Sequence, residues 1–352
     1  MIMDFGEHIL QWYRVHGREL PWRGTHDPYR IWLSEVILQQ TRITQGMDYW
    51  LRFVERWPTV HDLARASEDE VLREWQGLGY YSRARNLHQA AQQIDQMGDF
   101  PQTLDGLRSL KGVGDYTAAA IASMAFGIDA AVVDGNVYRV LARHFGIDTP
   151  INTTQGKRLF TELAQSLLPA GHAAEFNQGM MDFGAIQCTP QSPRCDECPL
   201  ADACDALRTH RIDQLPVKQK RTTVKTRRLQ YIYIRCQGLT AIHRRPAGDI
   251  WQGLWEPLLI EDAPLPQFKG KMTLLKQGVK HVLTHRILLA YFWLLETEHQ
   301  PALPQDYIWV DEADLDNYAL PRLIEKLIEN VPPSPPMSPQ APLKGGCPAM
   351  TD

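Results

Sequence analysis

Four of the six cysteines of this 352-residue chain lie within seventeen residues of one another, and their spacing suggests a metal centre. The pattern is Cys188-x6-Cys195-x2-Cys198-x5-Cys204. A disulfide framework would scatter its cysteines along the chain, whereas thiolates within one short segment can surround a metal. Four sulfur ligands suit either a structural zinc ion or a [4Fe–4S] cluster, and generic spacing does not separate the two.

A second candidate site combines a glycine-containing turn with an aspartate. Gly112 and Gly114 lie in the segment LKGVGDYT, directly before an alanine-rich helical stretch. Such a turn exposes backbone N–H groups, which together with the helix N-terminus bind phosphate without reading sequence. Asp134 follows twenty residues after Gly114, at the start of another helical stretch. An isolated Gly-x-Gly is more often an ordinary turn, and a lone aspartate is more often an N-cap.

Glu35 is a second candidate carboxylate. Most of its neighbours in the segment IWLSEVIL, residues 31–38, are apolar. Burial raises the pKa of a carboxyl group, and a raised pKa suits a general acid at neutral pH. From this segment alone, a glutamate at a helix edge or in a buried ion pair is the commoner interpretation.

The candidate residues fall within a long helical region. From Phe5 to about Arg211, apolar residues recur at helical spacing with short interruptions at glycine and proline. Residues 214–228 are basic and lack this periodicity, which predicts a linker. Residues 229–330 contain short β-branched and aromatic runs, which predict a mixed α and β domain, and the proline-rich residues 331–352 are predicted to be disordered. The clearest predicted helices are residues 31–41, 71–75, 82–96, 116–126 and 320–329, and the clearest strands are 229–235 and 287–295.

Composition excludes several classes of protein. A hydrophobic content of 44% with ten tryptophans does not fit a disordered, collagen-like or coiled-coil chain. No run approaches the roughly 18 apolar residues of a membrane span, and the N-terminus is too polar for a secretory signal, so we expect a soluble, intracellular protein. The net charge of −4 gives no overall nucleic-acid signature.

The cysteine spacing resembles the cluster loop of the endonuclease III superfamily of DNA glycosylases. The segment VDGNVYRVLAR, together with the glycine-containing turn before it, also resembles this superfamily, and three further segments, LPWR, SEVILQQT and GLGYYSRARNLH, resemble the adenine DNA glycosylases of the MutY type. This resemblance covers about Trp12 to Asp205 and implies a [4Fe–4S] cluster held by the four cysteines. It also implies a multidomain fold, in which an all-α helix-hairpin-helix region over residues 1–213 precedes a smaller α+β Nudix-like domain over residues 229–330. Within the helical region we expect a six-helix module over about 26–133, and a second module formed by 1–25 with 134–213.

The resemblance assigns roles to individual residues. Glu35 would protonate N7 of the adenine, and Asp134 would stabilise the oxocarbenium-like transition state. Bifunctional relatives have a lysine nucleophile at position 116, where this chain has Tyr116, so hydrolysis by water is implied. The remaining implied contacts are hydrogen bonds from Asn136 and Tyr116 around this centre, stacking of Gln40 and Tyr80 in the DNA, an adenine pocket lined by Trp22, Arg23 and Gln178, and phosphate binding at Gly112 and Gly114.

In the second region, Arg244-Arg245-Pro246 and the segment IWQGLWEP, residues 250–257, resemble the Nudix-like domain that is attached to these glycosylases. The carboxylate-rich Nudix box is absent, so this domain is expected to bind and not to hydrolyse. Thr284 and His285 align with the loop that reads 8-oxoguanine in the family, although Leu283 and Thr284 replace its phenylalanine and serine.

The expected function is therefore that of a monofunctional glycosylase acting on A·8-oxoG or A·G mispairs in double-stranded DNA. We expect a monomer in the bacterial cytoplasm, associated with the nucleoid and not with a membrane. Two alternatives are an endonuclease III-like glycosylase and lyase for oxidised pyrimidines, against which Tyr116 argues, and a noncatalytic iron–sulfur DNA-binding protein, against which Glu35 and Asp134 argue.

Overall fold

The computed structural model describes residues 4–219, 225–283 and 286–333. Its contacts divide the chain into two compact units. One unit is helical and comprises residues 4–219 together with Arg245–Leu254, and the other contains a β-sheet and the remaining described residues. Among the described residues, we find no helix with the length and apolar character that crossing a membrane would require.

The helical unit contains twelve α-helices within the described residues, and glycine or a polar cap delimits most of those around the candidate site. Gly114 precedes α8, the Asp134 side chain caps α9, and Gly127 and Gly146 end α8 and α9 in the left-handed conformation. A single π-helical turn, Phe183–Gln187, continues α11 toward the cysteines. The α-helices are α1 (Phe5–His16), α2 (Pro28–Ile37), α3 (Ile43–Arg56), α4 (Val60–Arg65), α5 (Glu68–Glu74), α6 (Ser82–Met97), α7 (Leu104–Arg108), α8 (Asp115–Phe126), α9 (Gly135–Phe145), α10 (Thr154–Leu167), α11 (Ala173–Asp182) and α12 (Asp205–Arg208).

Hydrophobic packing brings distant parts of this unit together. One core joins α1 to residues that follow Ala130, and it includes Phe5, Ile9, Phe160, Phe176 and Phe183. This core contains side chains from both ends of the helical region, and the module of residues 1–25 and 134–213 stays a prediction. Helix α2 packs against α8, and α11 packs against α1, α8 and α9. These four contacts place the candidate residues of α2, α8, α9 and α11 side by side.

The second unit is a seven-stranded mixed sheet as far as the described residues show. Strand β1 lies parallel to β6 and pairs Ile232 with Trp293, whereas its other pairings, with β2 and β4, are antiparallel. The sheet order is β3-β2-β1-β6-β5, with β4 paired to β1 and β7 paired to β2. The strands are β1 (Lys225–Cys236), β2 (Leu239–Arg244), β3 (Trp255–Glu256), β4 (Leu258–Glu261), β5 (Lys271–Val282), β6 (Arg286–Glu296) and β7 (Tyr307–Asp311), and helix α13 (Arg322–Ile328) follows.

The expected class of fold, an all-α region before a smaller α+β domain, is confirmed. Boundaries differ in detail: β1 begins at Lys225, inside the segment 214–228 expected to be a linker, and α2 ends at Ile37, not at Thr41. Strand β1 begins earlier than expected because its parallel pairing with β6 starts with Lys225 opposite Arg286. Pairing between distant strands cannot be predicted from the local sequence. The expected domain limits stay a prediction. Arg245–Leu254 lies within the expected second domain but groups with the helical unit by its contacts. Thr284, His285 and residues 334–352 lie outside the described residues.

Candidate active site

Glu35 and Tyr116 face each other from two packed helices, α2 and α8. Burial is the largest influence on the Glu35 carboxyl group and raises its pKa to about 7; a hydrogen bond from Tyr116 opposes the rise, and the nearby charge of Asp134 adds to it. Burial together with both carboxylates holds the pKa of Tyr116 well above its usual value, so its hydroxyl stays protonated. Glu35 still keeps part of its surface exposed. The pair therefore forms an accessible carboxylic acid that holds or releases a proton near neutral pH.

Asp134 is fixed at the N-terminus of α9 by three donors. Its Oδ1 atom accepts hydrogen bonds of 2.8 Å from the backbone N–H groups of Asn136 and Val137, and its Oδ2 atom accepts one of 2.8 Å from the Asn136 amide. Burial raises the pKa of Asp134, while these hydrogen bonds favour its charged form. Asp134 is thus an N-cap, as a lone aspartate at a helix start usually is, and it also lies close enough to Glu35 to raise the pKa of that residue.

Arg23 belongs to a buried ion-pair network centred on Asp182. The Asp182 side chain is fully buried, and its two oxygens accept hydrogen bonds of 2.6 and 2.8 Å from the Arg23 guanidinium group. The Arg18 backbone N–H and Nε also donate to Asp182, each over 2.9 Å. Burial disfavours the charge of Arg23, but the bonds and charge of Asp182 outweigh this and raise the pKa of Arg23. Arg23 in turn lowers the pKa of Glu35, which places this cation within electrostatic reach of the acid.

The other two residues expected to line the adenine pocket have different surroundings. Trp22 is buried and packs against Trp50, with ring centroids 5.4 Å apart. Gln178 is partly buried on α11, and its Oε1 atom accepts a 2.5 Å hydrogen bond from the Tyr13 hydroxyl. Arg23 lies over the Tyr13 ring at 5.8 Å, so Gln178 and Arg23 are joined through this tyrosine. The adenine-binding role of these residues stays a prediction.

Gln40 and Tyr80 lie on two surface loops and share an unusual backbone conformation. Their φ angles are 58° and 48°, in the left-handed region that residues with a side chain seldom adopt. Gln40 is exposed, and Tyr80 exposes 50% of its surface. Strained backbone of this kind is concentrated at functional sites, where the surrounding structure compensates for its cost.

The glycine-containing turn between α7 and α8 is exposed. Gly112 has a φ angle of 75°, and a Cβ atom there would lie 2.6 Å from the Asn86 side chain, so a larger residue does not fit. Gly114 is exposed and precedes the first turn of α8. The turn therefore presents backbone N–H groups and a helix N-terminus at the surface, which is the arrangement expected for a phosphate contact.

The four clustered cysteines line one small cavity. All four are free and partly buried, and Arg143 lines the same cavity and donates to the Cys188 sulfur over 3.4 Å. Four thiolates on one cavity are a donor set that fits an iron–sulfur cluster, and a zinc ion would use the same donors.

A chain of hydrogen bonds runs from the cysteine loop to Asp134. The buried Arg139 guanidinium group donates to the Cys188 carbonyl over 2.7 Å and to the Asn136 side-chain oxygen over 2.9 Å, and Asn136 holds Asp134. Gly184 makes this packing possible, because a Cβ atom there would lie 2.6 Å from that of Asn136. The cysteine loop therefore supports the part of the structure that positions the carboxylate.

Sequence reasoning missed three buried polar residues that organise the site. These are Asp182, Arg139 and Asn177, the last of which binds the Val132 backbone N–H over 3.0 Å and so fixes the segment before Asp134. Arg139 lies within the segment VDGNVYRVLAR, and Asp182 lies between Met181 and Phe183. A charged residue between apolar neighbours is a signal that its side chain is buried with a partner.

Comparison with known families divides the chain in the same order. Residues 33–166 match the HhH-GPD superfamily base excision DNA repair protein, residues 188–204 match the iron-sulfur binding domain of endonuclease III, and residues 230–330 match the NUDIX domain. The cysteine loop is thus an iron–sulfur binding segment. A thermostable thymine-DNA glycosylase of known structure is 33% identical, with a TM-score of 0.54 over 58% of this chain and 95% of its own. An endonuclease III from a non-covalent DNA complex shares the fold, at 23% identity and a TM-score of 0.51 over 58% and 94% of the two chains.

Curated relatives extend over more of the chain. The adenine DNA glycosylase of Buchnera aphidicola subsp. Schizaphis graminum is 28% identical over 93% of this chain and 99% of its own length. The human adenine DNA glycosylase is 41% identical over 61% of this chain and 41% of its own length. That of Buchnera aphidicola subsp. Baizongia pistaciae is 33% identical over 71% of this chain and 72% of its own length. Together with the matching domain order, this similarity shows that the chain belongs to the adenine DNA glycosylase family of base excision repair enzymes.

Proposed function

We propose that this glycosylase hydrolyses the bond between adenine and deoxyribose where adenine lies opposite 8-oxoguanine or guanine in double-stranded DNA. The observation that carries the proposal is Glu35, a carboxyl group with a pKa of about 7 beside Tyr116 and within the field of Asp134. A buried acid and a second, hydrogen-bonded carboxylate are the two groups that glycosidic hydrolysis requires.

The adenine must first leave the helix, because its glycosidic bond is inaccessible inside a stacked duplex. Flipping a base costs a few kcal/mol. Gln40 and Tyr80 project from two surface loops and would fill the space in the stack, while the exposed turn at Gly112 and Gly114 binds phosphate. Trp22, Arg23 and Gln178 would line the pocket that receives the base.

Glu35 then acts as the general acid. In its protonated form it donates its proton to N7 of adenine, which lets the base leave with the electron pair of the C1′–N9 bond. Tyr116 supplies a hydroxyl that remains protonated; it donates to the Met181 sulfur over 3.3 Å, and its hydrogen bonding to Glu35 favours the ionised form of that carboxyl group. Arg23 is held by Asp182 and so presents a fixed positive charge near the same carboxyl group.

Asp134 stabilises the positive charge that develops on the sugar as the bond breaks. The two backbone N–H groups and the Asn136 amide keep it ionised and oriented. A carboxylate held in advance needs no reorganisation during the reaction, and such electrostatic stabilisation is usually a large part of catalysis. Water adds to C1′ and loses a proton, leaving free adenine and an abasic site. No amine is present at position 116, so strand cleavage through a Schiff base is not expected.

The remaining assignments concern the cofactor and the second unit. A [4Fe–4S] cluster would be held by Cys188, Cys195, Cys198 and Cys204, and it would support the loop that leads through Arg139 to Asp134.

In the second unit, Thr284 and His285 would distinguish 8-oxoguanine from guanine on the opposite strand. We propose that the protein acts as a monomer in the bacterial cytoplasm, on the nucleoid; the similarity to bacterial adenine DNA glycosylases supports only the bacterial setting.

The proposal is tested with duplexes that contain one A·8-oxoG, A·G or A·T pair. Single-turnover release of adenine should be fast for the first, slower for the second and undetectable for the third. The strand should break only after alkali, since the enzyme leaves an intact abasic site. Scission without alkali, together with trapping by borohydride, would instead indicate the lyase mechanism. Binding without any release of adenine would indicate a noncatalytic protein.

A further inference from the structure

Arg83, near the start of α6, joins the two loops that carry Gln40 and Tyr80. One terminal nitrogen of its guanidinium group donates to the carbonyls of Val36 and Ile37, at 3.0 and 3.2 Å, and also to the carbonyl of Gln39. The other terminal nitrogen lies 3.5 and 3.4 Å from the carbonyls of Leu78 and Gly79. A single side chain thus holds the C-terminal end of α2 and the segment before Tyr80 at the same time.

The surroundings of Arg83 support a positioning role. Burial lowers its pKa to about 10, and among the described residues no carboxylate forms an ion pair with it, so backbone carbonyls balance its charge. The guanidinium group lies over the rings of Trp75 and Tyr80, at 5.1 and 5.6 Å. The Trp75 indole N–H also donates to the Gly79 carbonyl over 3.0 Å, which fixes that loop from a second direction.

The backbone conformations show what this arrangement holds in place. Gln39 and Gly79 immediately precede Gln40 and Tyr80, the two residues with φ angles of 58° and 48°. Left-handed backbone at residues with a side chain persists only where neighbouring contacts impose it. Arg83 binds the carbonyl directly before each of these residues, and therefore restrains both conformations together.

We propose that Arg83 is a positioning residue that fixes the Gln40 and Tyr80 loops relative to each other, so that both side chains enter the DNA stack in concert. This inference rests on the proposed function, in which those two side chains replace the flipped adenine. Lysine cannot substitute for it, because one ammonium group lacks the planar fork that reaches two sets of carbonyls. The role belongs to DNA opening and not to bond cleavage, since the carbonyls that Arg83 binds belong to the loops of Gln40 and Tyr80 and not to Glu35 or Asp134.

The experiment compares two duplexes in single-turnover excision at saturating enzyme. One is fully paired around the A·8-oxoG pair, and in the other the flanking base pairs are mispaired, so that the helix is already open. Arg83→Lys should be slower than wild type by about 10- to 100-fold on the paired duplex, the range expected for a lost charge-assisted hydrogen bond. On the opened duplex its rate should be within about threefold of wild type. This difference is far smaller than the loss of one such hydrogen bond would cause.

Control variants make the outcome specific. Arg158→Lys alters an exposed arginine that pairs with Glu162, and it should match wild type on both duplexes. Glu35→Gln should be slow on both, because opening the helix does not replace an acid. Equal slowing of Arg83→Lys on the two duplexes, or no slowing on either, overturns the positioning role. An inactive wild-type enzyme on both duplexes refutes the proposed function itself.

A second variant and a second measurement protect the test against a folding defect. Trp75→Phe keeps an aromatic ring under Arg83 but removes the N–H that binds the Gly79 carbonyl, and it should show the same selective loss on the paired duplex. 2-Aminopurine next to the target adenine reports unstacking by its fluorescence, which Arg83→Lys should reduce although the duplex is bound. A full fluorescence change in that bound variant contradicts the proposal.

Discussion

Replacing Tyr116 with phenylalanine should move the alkaline limb of the pH–rate profile to higher pH. The reason lies in the effect of the Tyr116 hydroxyl group on Glu35, whose ionised form it stabilises by a hydrogen bond and whose pKa it thereby lowers. As the proposed general acid, Glu35 would work only when protonated, so the rate should fall as the pH rises through its pKa of about 7. Without the hydroxyl, the carboxyl group keeps its proton to a higher pH.

The size of the shift follows from the strength of that hydrogen bond. A hydrogen bond to a charged group contributes about 1.5–3 kcal/mol, and one pKa unit corresponds to about 1.4 kcal/mol, which gives a shift of about one to two units. Glu35 keeps part of its surface accessible, so water replaces some of the lost interaction. We therefore expect the lower end of this range, a displacement of about one pH unit.

The assay is single-turnover excision from an A·8-oxoG duplex between about pH 5 and 9, with enzyme in excess so that binding does not limit the rate. Tyr138→Phe is the matched control, because Tyr138 lies on α9 and makes no hydrogen bond to Glu35; its profile should coincide with that of wild type. An alkaline limb of Tyr116→Phe that stays in place or moves to lower pH would refute the assignment of Glu35 as the acid.

Four further predictions concern the cofactor, the second carboxylate, the ion-pair network and the expected lesion-reading loop. Purified protein should be yellow-brown, absorb near roughly 400 nm and contain about four irons, and stoichiometric zinc after anaerobic preparation would contradict the cluster. Asp134→Asn should slow single-turnover excision at least ~100-fold and move the alkaline limb to lower pH, since the charge of Asp134 raises the pKa of Glu35; a rate within threefold of wild type would exclude its role. Asp182→Asn should lower the free energy of unfolding in urea by about 3–5 kcal/mol, because the buried Arg23 loses its partner, and a change near zero would show that the network does not stabilise the fold. Combined Thr284→Ala and His285→Ala should reduce the ratio of rates on A·8-oxoG and A·G without abolishing excision, and an unchanged ratio would show that this loop does not read the lesion.

Local sequence was sufficient to predict the class of fold and the candidate chemistry. Helical periodicity over the first two hundred residues and β-branched runs near residues 229–235 and 287–295 depend on nearest neighbours, so they can be read without knowing the fold. The cysteine spacing has the same property, because four ligands on one short segment can meet wherever that segment lies. Through the resemblance to the glycosylases, Tyr116 in place of lysine also predicts hydrolysis by water from one residue, and this stays a prediction.

Only the tertiary structure determined how these residues act on one another. Glu35 and Tyr116 are 81 positions apart, and the pKa of the acid depends on the packing of α2 against α8 and on the charge of Asp134. Arg23 pairs with Asp182, which is also remote in the sequence, and Arg83 binds backbone carbonyls. The local sequence has no signature of either kind of partner. Burial and long-range electrostatics are properties of the packed chain, so the pattern of residues could nominate Glu35 as a candidate acid but could not set its proton affinity.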